Sequence, residues 1–377
     1  MINPQTVEHY EDWWNYKNTK PPLYAIYPLK NRSFQHAVKP WMGQQLVKQW
    51  SNWQQEMMFG QAVELTWKTG EHRYIEDTVA FFEAYLETTG HNAQGFSFLL
   101  PGIGPGALAA FITDFTKFNG NTIWFELEDP WSFEKLQQIT LDSRSSYTDV
   151  AVQAVKELVS RLKGKFLFAP PDFSGPLDIV SSIRTGYNLL LDTMDYPDEL
   201  HSVIDRVEML WRKYFAEFSA IIDPVNDRLY TNVFRYLSAK PMHTCVCDFS
   251  AMISPTMFEK FVLPTVQRDA EQFDGRLIFH LDGPGEIAHI DLLCSVEKLH
   301  SIQWVPGAGN DHGAAESWFP MFKKILDGGK RICLTGYPEE PEALKPLFKA
   351  FPKEEFLLSS TFKSEKECLR FINELNL

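Results

Sequence analysis

A regular alternation from about residue 160 to the end of the sequence is the feature that most constrains how this chain can fold. Short apolar runs rich in β-branched or aromatic residues are each followed by a turn containing Gly, Pro or Asp, and then by a longer amphipathic segment. Such apolar runs fit buried strands, and the amphipathic segments fit helices that cover them, so the pattern predicts successive βα units. The predicted strands are 166–170, 242–247, 276–281, 300–305, 331–335 and 356–360.

Several predicted helices begin at capping sequences. A Ser-Pro pair opens 255–273, two prolines flank the start of 339–349, and an S-x-x-E capping box opens 364–375. Proline at the first helical position loses no hydrogen bond, because the first amides of a helix have no partner within the helix. These starts fall between the predicted strands, as βα units require.

Three earlier runs, 23–27, 96–100 and 122–126, bring the count to eight or nine strands in 377 residues. This count favours a (β/α)8 TIM barrel over an open doubly wound sheet. The glycine-rich stretch at 101–108 lacks the GxGxxG spacing, so we expect no NAD and no flavin. We predict one domain over 1–377, with an aromatic-rich N-terminal extension at 1–95 and the barrel at 96–377.

Composition excludes several classes of protein. The chain has 36 basic and 49 acidic residues, a formal net charge of −13, which disfavours nucleic acid and anionic lipid partners. Its five cysteines form no CxxC pair, as is usual for reduced thiols in a cytoplasm, and the N-terminus does not read as a signal peptide. We therefore expect a cytoplasmic protein without a membrane segment that acts on a small-molecule substrate.

Polar residues gather where the predicted strands end. In a (β/α)8 barrel these carboxyl ends form the active face, so the residues there are candidates for catalysis and binding. The candidates are Asp172, Asp178, Asp248, His280, Asp282, Gln303, Trp304, Tyr337, Ser359 and Ser360.

The segment FHLDGPG at 279–285 is the most specific of these strand ends. His280 and Asp282 are two residues apart on a strand and so share a face, and Gly-Pro-Gly allows a tight turn after them. Such a pair can bind a metal or relay a proton. The alternative is structural: Asp282 caps the next helix and His280 makes a hydrogen bond inside the barrel.

Strand 242–248 (MHTCVCD) offers a second metal hypothesis, because His243, Cys245 and Cys247 alternate on one face. If Asp248 points into the mouth, however, the two cysteines point outward and are buried apolar residues.

Asp172, Asp178 and Arg184 could form a charge-assisted clamp on an anionic substrate group. Their structural alternative is a turn at Asp172 with an ion pair between Asp178 and Arg184. The N-terminal tryptophans could cover an apolar ligand, or anchor the extension by packing; they are Trp13, Trp14, Trp41, Trp50, Trp53 and Trp67.

Four segments together resemble the uroporphyrinogen decarboxylase superfamily. They are PDFSGPLDIVSSIRTGYNLLLD (171–192), CDFSAMISPTMFEKFVLP (247–264), HLDGPGEIAHIDLL (280–293) and IQWVPGAGN (302–310). The resemblance covers roughly residues 95–377 and implies a (β/α)8 barrel with its active site at the strand carboxyl ends. It implies one of two activities: cofactor-free decarboxylation of a tetrapyrrole, or zinc-dependent methyl transfer between a methyl-corrinoid and a thiol.

The chain departs from both activities at particular positions. Decarboxylases of the family have an Arg-rich N-terminal motif, where this sequence has Arg32 and little else, and a Gly-His-Gly where it has LSSTF at 358–362. Methyltransferases have His-x-Cys where this chain has His280 and Asp282. The resemblance therefore implies a harder metal site, with Asp248 as the third ligand.

Our first hypothesis is corrinoid-linked methyl transfer on a small substrate, with zinc or another divalent metal and a corrinoid protein as partner. Catalysis and metal binding are assigned to His280, Asp282 and Asp248. Substrate binding is assigned to Asp172, Asp178, Arg184, Gln303, Trp304, Tyr337 and Ser360. The alternatives are a cofactor-free decarboxylase acting on a tetrapyrrole or other aromatic carboxylate, and a non-catalytic ligand-binding barrel. Members of the family are often homodimers, and a homodimer is a further expectation.

Overall fold

The computed structural model of the chain describes residues 2–29, 34–42, 52–119 and 123–377, without the side chains of 52–56. The chain divides into two compact units. The first comprises Met1–Arg32, Thr88–Ser97 and Leu229–Leu377, and the second comprises Ser33–Glu87 and Phe98–Arg228. The single domain with a boundary at residue 95 stays a prediction. Arg32, Trp50 and the side chain of Trp53 lie outside the described residues.

The first unit is built on a seven-stranded sheet. Six of the strands run parallel, and Thr89–His91 at one edge pairs antiparallel with Leu23–Pro28. Parallel neighbours need a crossover between them, and the helical segments after the strands supply it. From edge to edge the strands are Thr89–His91, Leu23–Pro28, Phe356–Thr361, Arg331–Leu334, Leu299–Val305, Leu277–Asp282 and His243–Cys245.

The register assigns the side chains of this sheet to two faces. His280 pairs with Gln303, and Gln303 with Cys333, so these three side chains share one face. Leu281 and Trp304 pair in the same way and lie on the opposite face. A one-residue shift in register would exchange the two faces, so the pairing decides which residues can meet.

Helices follow the parallel strands of the first unit, and several begin where the capping sequences predict. The Ser364 hydroxyl accepts a hydrogen bond from the Glu367 amide at 3.3 Å, which confirms the predicted cap. The helix predicted over 255–273 is divided at Val262, because Pro264 near the start of the second helix has no amide hydrogen to donate. The α-helices of this unit are Pro4–Trp14, Pro255–Phe261, Leu263–Gln272, Ile290–Ser295, Phe319–Asp327, Pro341–Ala350 and Glu365–Leu375.

Shorter elements complete the first unit. Two strands, Tyr230–Thr231 and Leu237–Ser238, pair antiparallel ahead of the sheet strand His243–Cys245. Four 3-10 helices lie after or before sheet strands: Asp248–Met252, Pro284–His289, Glu316–Trp318 and Lys353–Glu355. Two of these 3-10 helices carry residues of the site described below.

The second unit is mostly helical. Its parallel strands Phe98–Leu99 and Leu167–Phe168 pair with each other, and Lys117–Phe118 pairs antiparallel with Ile123–Trp124. Predicted strands 96–100 and 166–170 are thus present but short. The helices are the 3-10 helix Gln35–Ala37 and 3-10 helix Asp223–Val225, with α-helices Asn52–Thr69, Arg73–Leu86, Leu108–Thr113, Phe133–Leu136, Ser146–Leu162, Pro176–Arg184, Gly186–Asp195 and Pro197–Ile222.

The observed class is a mixed α/β fold with a mostly parallel sheet and many helices. Within the described ranges, no sheet closes on itself, so the (β/α)8 barrel predicted from the strand count is not confirmed. The prediction overestimated the number of strands in the main sheet, because the runs at 96–100, 122–126 and 166–170 belong to separate two-stranded sheets. Among the helices that the structure describes, none combines the length and apolarity needed to cross a membrane.

Candidate metal centre

Three ionisable side chains converge where two neighbouring parallel strands end. His280 and Asp282 lie on the strand Leu277–Asp282, and Asp248 begins the 3-10 helix that follows His243–Cys245. Each of the three offers a ligand atom, and these atoms all lie within 4.8 Å of one another. Asp248 is exposed, whereas His280 and Asp282 are half-buried. The group is therefore accessible from solvent at the carboxyl edge of the sheet.

A tight turn at Gly283 follows Asp282 and ends the strand. Gly283 has a φ of +87°, a conformation that residues with a Cβ rarely adopt, and its amide donates to the Val305 carbonyl at 2.8 Å. The turn leads directly into the 3-10 helix Pro284–His289. The predicted tight turn at Gly-Pro-Gly is confirmed, and Asp282 ends its strand and does not cap an α-helix.

A buried carboxylate that sequence reasoning missed links the two aspartate segments. Glu286 accepts a hydrogen bond from the Ser250 hydroxyl at 2.9 Å and another from the Asp282 amide at 2.9 Å. A Cβ on Gly285 would lie 3.1 Å from Ala251, so the two segments approach closely there. Glu286 therefore helps to set the spacing between Asp248 and Asp282. The sequence signal for this residue is an acid directly after Gly-Pro-Gly.

His280 is held by neighbours on two sides. Its Nδ1 forms a short hydrogen bond with Oε1 of Gln303, the residue opposite it in register. Nε2 of Gln303 donates to the Thr335 hydroxyl at 3.0 Å. The Phe234 ring lies against the imidazole, with centroids 5.1 Å apart and an angle of 33° between the planes. Sequence analysis predicted Gln303 and missed Phe234 and Thr335.

Two carboxylates and an imidazole fit a divalent cation. Ligand atoms lie about 2.1 Å from zinc, so adjacent ligands are roughly 3.4 Å apart, and the observed 4.8 Å limit requires only a small closure. Asp248 and Asp282 would together neutralise a dication, and three protein ligands leave a position for substrate or water. Cys333 shares the face of His280 but is buried two strands away and belongs to no metal-ligand group among the described residues. The donor set is therefore oxygen and nitrogen.

Three residues assigned to substrate binding lie away from this group. Trp304 is on the face opposite His280 and packs against Trp318 with ring centroids 5.0 Å apart. Ser360 shares that opposite face and donates to Glu339 at 3.4 Å. Tyr337 stacks on Phe371 of the C-terminal helix, and burial raises its pKa above the ordinary value. The structure does not bring these three together with His280.

Asp172, Asp178 and Arg184 lie in the second unit, and each has partners there. The Asp172 carboxylate accepts from the Ser174 amide at 2.8 Å, which confirms the turn expected at that position. The Asp178 carboxylate accepts from the Ser174 hydroxyl at 2.8 Å.

The ion pair expected between Asp178 and Arg184 is wrong, because Arg184 pairs with Asp192 through two nitrogens at 2.8 and 3.2 Å. Asp192 is eight residues further along, beyond the turn between two helices, and it is 2% exposed. This bidentate hydrogen bond raises the pKa of Arg184, so the guanidinium is held by an internal partner.

The cysteines of MHTCVCD do not form a metal group with His243 in the part of the chain that the structure describes. Cys245 pairs with Phe279 and so lies on the face opposite His280, and both Cys245 and Cys247 are buried. The prediction that both cysteines are buried is confirmed, and Cys245 points away from His280 as predicted. All five cysteines of the chain are thiols.

The described N-terminal tryptophans act as packing anchors. Trp13 and Trp14 are buried in the first unit, where the Trp14 indole donates to the Leu237 carbonyl at 2.8 Å. In the second unit, Trp41 donates to Asp77 at 2.9 Å and Trp67 donates to Ser146 at 3.0 Å. These contacts favour the structural alternative over a cover for an apolar ligand.

Comparisons with known proteins give a similarity of fold. No family model matches the sequence, and no curated protein matches it. Among solved structures, a methyltransferase from Methanosarcina mazei is similar, with a TM-score of 0.52 over 86% of this chain and 99% of that chain. The two sequences are 10% identical, so the similarity concerns the fold alone.

Proposed function

We propose that this chain is a methyltransferase-like enzyme that transfers a methyl group on a small substrate and uses a divalent metal held by Asp248, His280 and Asp282. The observation that carries the proposal is the convergence of these three side chains at the carboxyl edge of the parallel sheet. The fold similarity to a methyltransferase supports the reaction class.

The finer parts of the proposal come from the sequence resemblance. They are membership of the uroporphyrinogen decarboxylase superfamily, a (β/α)8 barrel with an N-terminal extension, zinc as the metal, and a methyl-corrinoid as the methyl donor, delivered by a corrinoid protein. Four segments of the sequence support them. The oxygen-rich ligand set is the point at which this chain departs from the His-x-Cys site of those methyltransferases.

The residues of the chain divide the work between ligation and orientation. Asp248, His280 and Asp282 would hold the metal, which when bound lowers the pKa of a coordinated thiol or water. Glu286 fixes the backbone at Asp282, and Phe234 limits rotation of the His280 ring. The exposed side of Asp248 leaves an approach for the substrate.

Methyl transfer from methylcobalamin to a small thiol such as coenzyme M tests the proposal. The thiolate sulfur takes the methyl group, the cobalt–carbon bond breaks, and its electron pair stays on cobalt, so cob(I)alamin absorbance reports turnover without oxygen. We expect the zinc-loaded protein to catalyse the transfer and His280→Ala to reduce the rate at least about 100-fold. The control His72→Ala changes an exposed histidine whose Nε2 contacts Glu157 at the surface, 2.8 Å away.

Decarboxylation remains the second candidate, because the two carboxylates could stabilise a protonated pyrrole-like intermediate without any metal. A metal-stripped preparation that releases CO2 from a tetrapyrrole or an aromatic carboxylate, and shows no methyl transfer, would replace the first proposal with this one. A ligand that raises the melting temperature while neither product forms would favour the binding barrel.

A further inference from the structure

We propose that Gln303 is a positioning residue that fixes His280 in the tautomer protonated at Nδ1, which leaves Nε2 with the lone pair for a ligand. This inference deepens the proposed function. The tautomer of His280 is independent of that function, and only the effect of Gln303 on metal binding rests on it. Sequence analysis assigned Gln303 to substrate binding. The hydrogen bonds at both ends of its amide support a different role.

The orientation of the Gln303 amide follows from its surroundings. Nε2 lies 3.0 Å from the Thr335 hydroxyl and 3.4 Å from the Trp304 carbonyl oxygen. The Trp304 carbonyl oxygen can only accept a hydrogen bond, so the Gln303 group that faces it must be the NH2. One N–H of that group donates to Trp304 and the other to the Thr335 hydroxyl. The opposite orientation would place two acceptor oxygens against each other. Oε1 therefore faces His280.

This orientation determines the proton on the histidine. Oε1 of Gln303 has no hydrogen to donate, so its hydrogen bond with Nδ1 of His280 requires Nδ1 to be the donor. In the neutral ring Nε2 then carries the lone pair. Histidine ligands in metal sites commonly donate their second ring nitrogen to an outer partner, which fixes tautomer and ring orientation.

Burial makes this arrangement rigid. Gln303 is 0% exposed and lies directly opposite His280 in two paired strands, so the amide has little freedom to rotate. Thr335 follows the next strand, Arg331–Leu334, and anchors the far end of the amide. A chain of hydrogen bonds therefore runs from Thr335 through Gln303 to His280 across three adjacent strands of the first unit. Because both ends of the amide are used, Gln303 is not available to a substrate.

The tautomer can be measured on the full-length, metal-free protein by long-range proton–nitrogen NMR of 15N-histidine-labelled samples at pH 8. The signals of His280 are those that disappear in His280→Ala. We expect a protonated Nδ1 and an unprotonated Nε2 in the native protein. Gln303→Leu removes the acceptor and should convert His280 to a mixture of tautomers, whereas Thr335→Ser keeps a hydroxyl at the far end of the amide and should retain the native pattern.

Zinc affinity gives the second readout. We expect Gln303→Leu to weaken zinc binding about 10- to 100-fold and Thr335→Ser to keep most of the native affinity. The control Gln153→Leu changes an exposed glutamine of the second unit and should leave both readouts unchanged.

Three outcomes separate the two proposals. A native His280 protonated at Nε2, or a tautomer unchanged in Gln303→Leu, overturns the role of Gln303 even if zinc binds. The expected tautomers without zinc binding support the role of Gln303 and overturn the metal function. If Gln303→Leu does not fold, the tautomer of the native protein still decides.

Discussion

The two ends of the seven-stranded sheet use charged residues in opposite ways. At the amino ends, Arg276 and Arg331 are almost fully buried, and they meet Glu11 at 2.8 Å and Glu355 at 3.5 Å. Arg276 also lies over the Trp14 ring, 5.1 Å from its centroid. Opposite charges here are neutralised among packed aromatic side chains.

At the carboxyl ends, like charges share one accessible space. Asp248 and Asp282 bring two carboxylates close to one imidazole, and none of the three is fully buried. Two carboxylates this close repel each other unless a proton or a cation intervenes. The charges at the amino ends of these strands serve packing, whereas those at the carboxyl ends form the proposed metal site.

The largest expected effect is on stability at the amino ends. Glu11→Gln should lower the free energy of unfolding by about 3 kcal/mol, because it leaves the buried Arg276 guanidinium without its counter-ion. Urea denaturation measures the loss. Glu271→Gln is the control, since Glu271 is 69% exposed in its ion pair with Lys298 and should cost less than about 1 kcal/mol. Equal losses in the two variants would contradict the comparison.

Metal should stabilise the native chain through the carboxyl ends. Zinc at 100 times its dissociation constant should raise the free energy of unfolding by about 2.7 kcal/mol, because it binds the folded state only. Asp248→Asn should remove most of this gain. Asp291→Asn, which changes a carboxylate that is 76% exposed and paired with Lys324, should keep it. A full gain in Asp248→Asn would exclude Asp248 as a ligand.

A pH effect should arise at the amino ends. Burial, with Arg331 and Arg276 nearby, lowers the pKa of His300 well below the ordinary value of 6.5. Below about pH 6.5 the unfolded chain therefore binds a proton that the folded chain does not, and stability falls as the pH decreases. The slope for this group reaches about 1.4 kcal/mol per pH unit.

Urea denaturation between pH 7.5 and 5.5 measures this slope. His300→Phe keeps an aromatic ring against Trp13 and Trp14 and cannot titrate, so its slope should be smaller than that of the native chain. Burial also lowers the pKa of His289, so part of the slope should remain in the variant. The same slope in both proteins would show that His300 does not contribute.

The smallest effect concerns the turn at the carboxyl ends. Gly283→Ala should cost about 1 to 2 kcal/mol, because alanine disfavours the φ of +87°. Gly275, with a φ of +77°, is a matched position before the same strand. Both alanine variants should lose similar stability, and only Gly283→Ala should weaken zinc binding. An equal loss of zinc affinity in the two would mean that the turn has no special role.

The strand Leu277–Asp282 and the cap at Ser364 could be predicted because local signals define them: a continuous apolar run in one case and an S-x-x-E sequence in the other. The alternation of His280 and Asp282 on one face follows from strand geometry. For the same reason, the sequence could suggest a metal pair before any contact was known.

The remaining features depend on contacts between distant segments. The face of the sheet on which Trp304 lies depends on the register between two strands. The partner of Arg184 is Asp192, across a turn between two helices. Glu286 and Thr335 gain their roles only when three segments meet. The strand Thr89–His91 has glycine at its centre and so carries no local strand signal. It is defined only by its pairing with Leu23–Pro28.

Elemental analysis of protein purified without a metal-binding tag tests the central claim most directly. The native chain, His280→Ala and the surface control His72→Ala are compared side by side. We predict about one zinc or other divalent ion per chain in the native protein and in His72→Ala, and a loss of that ion in His280→Ala. A native chain that holds no metal even after incubation with excess zinc, or equal metal in all three proteins, would contradict a metal centre at Asp248, His280 and Asp282.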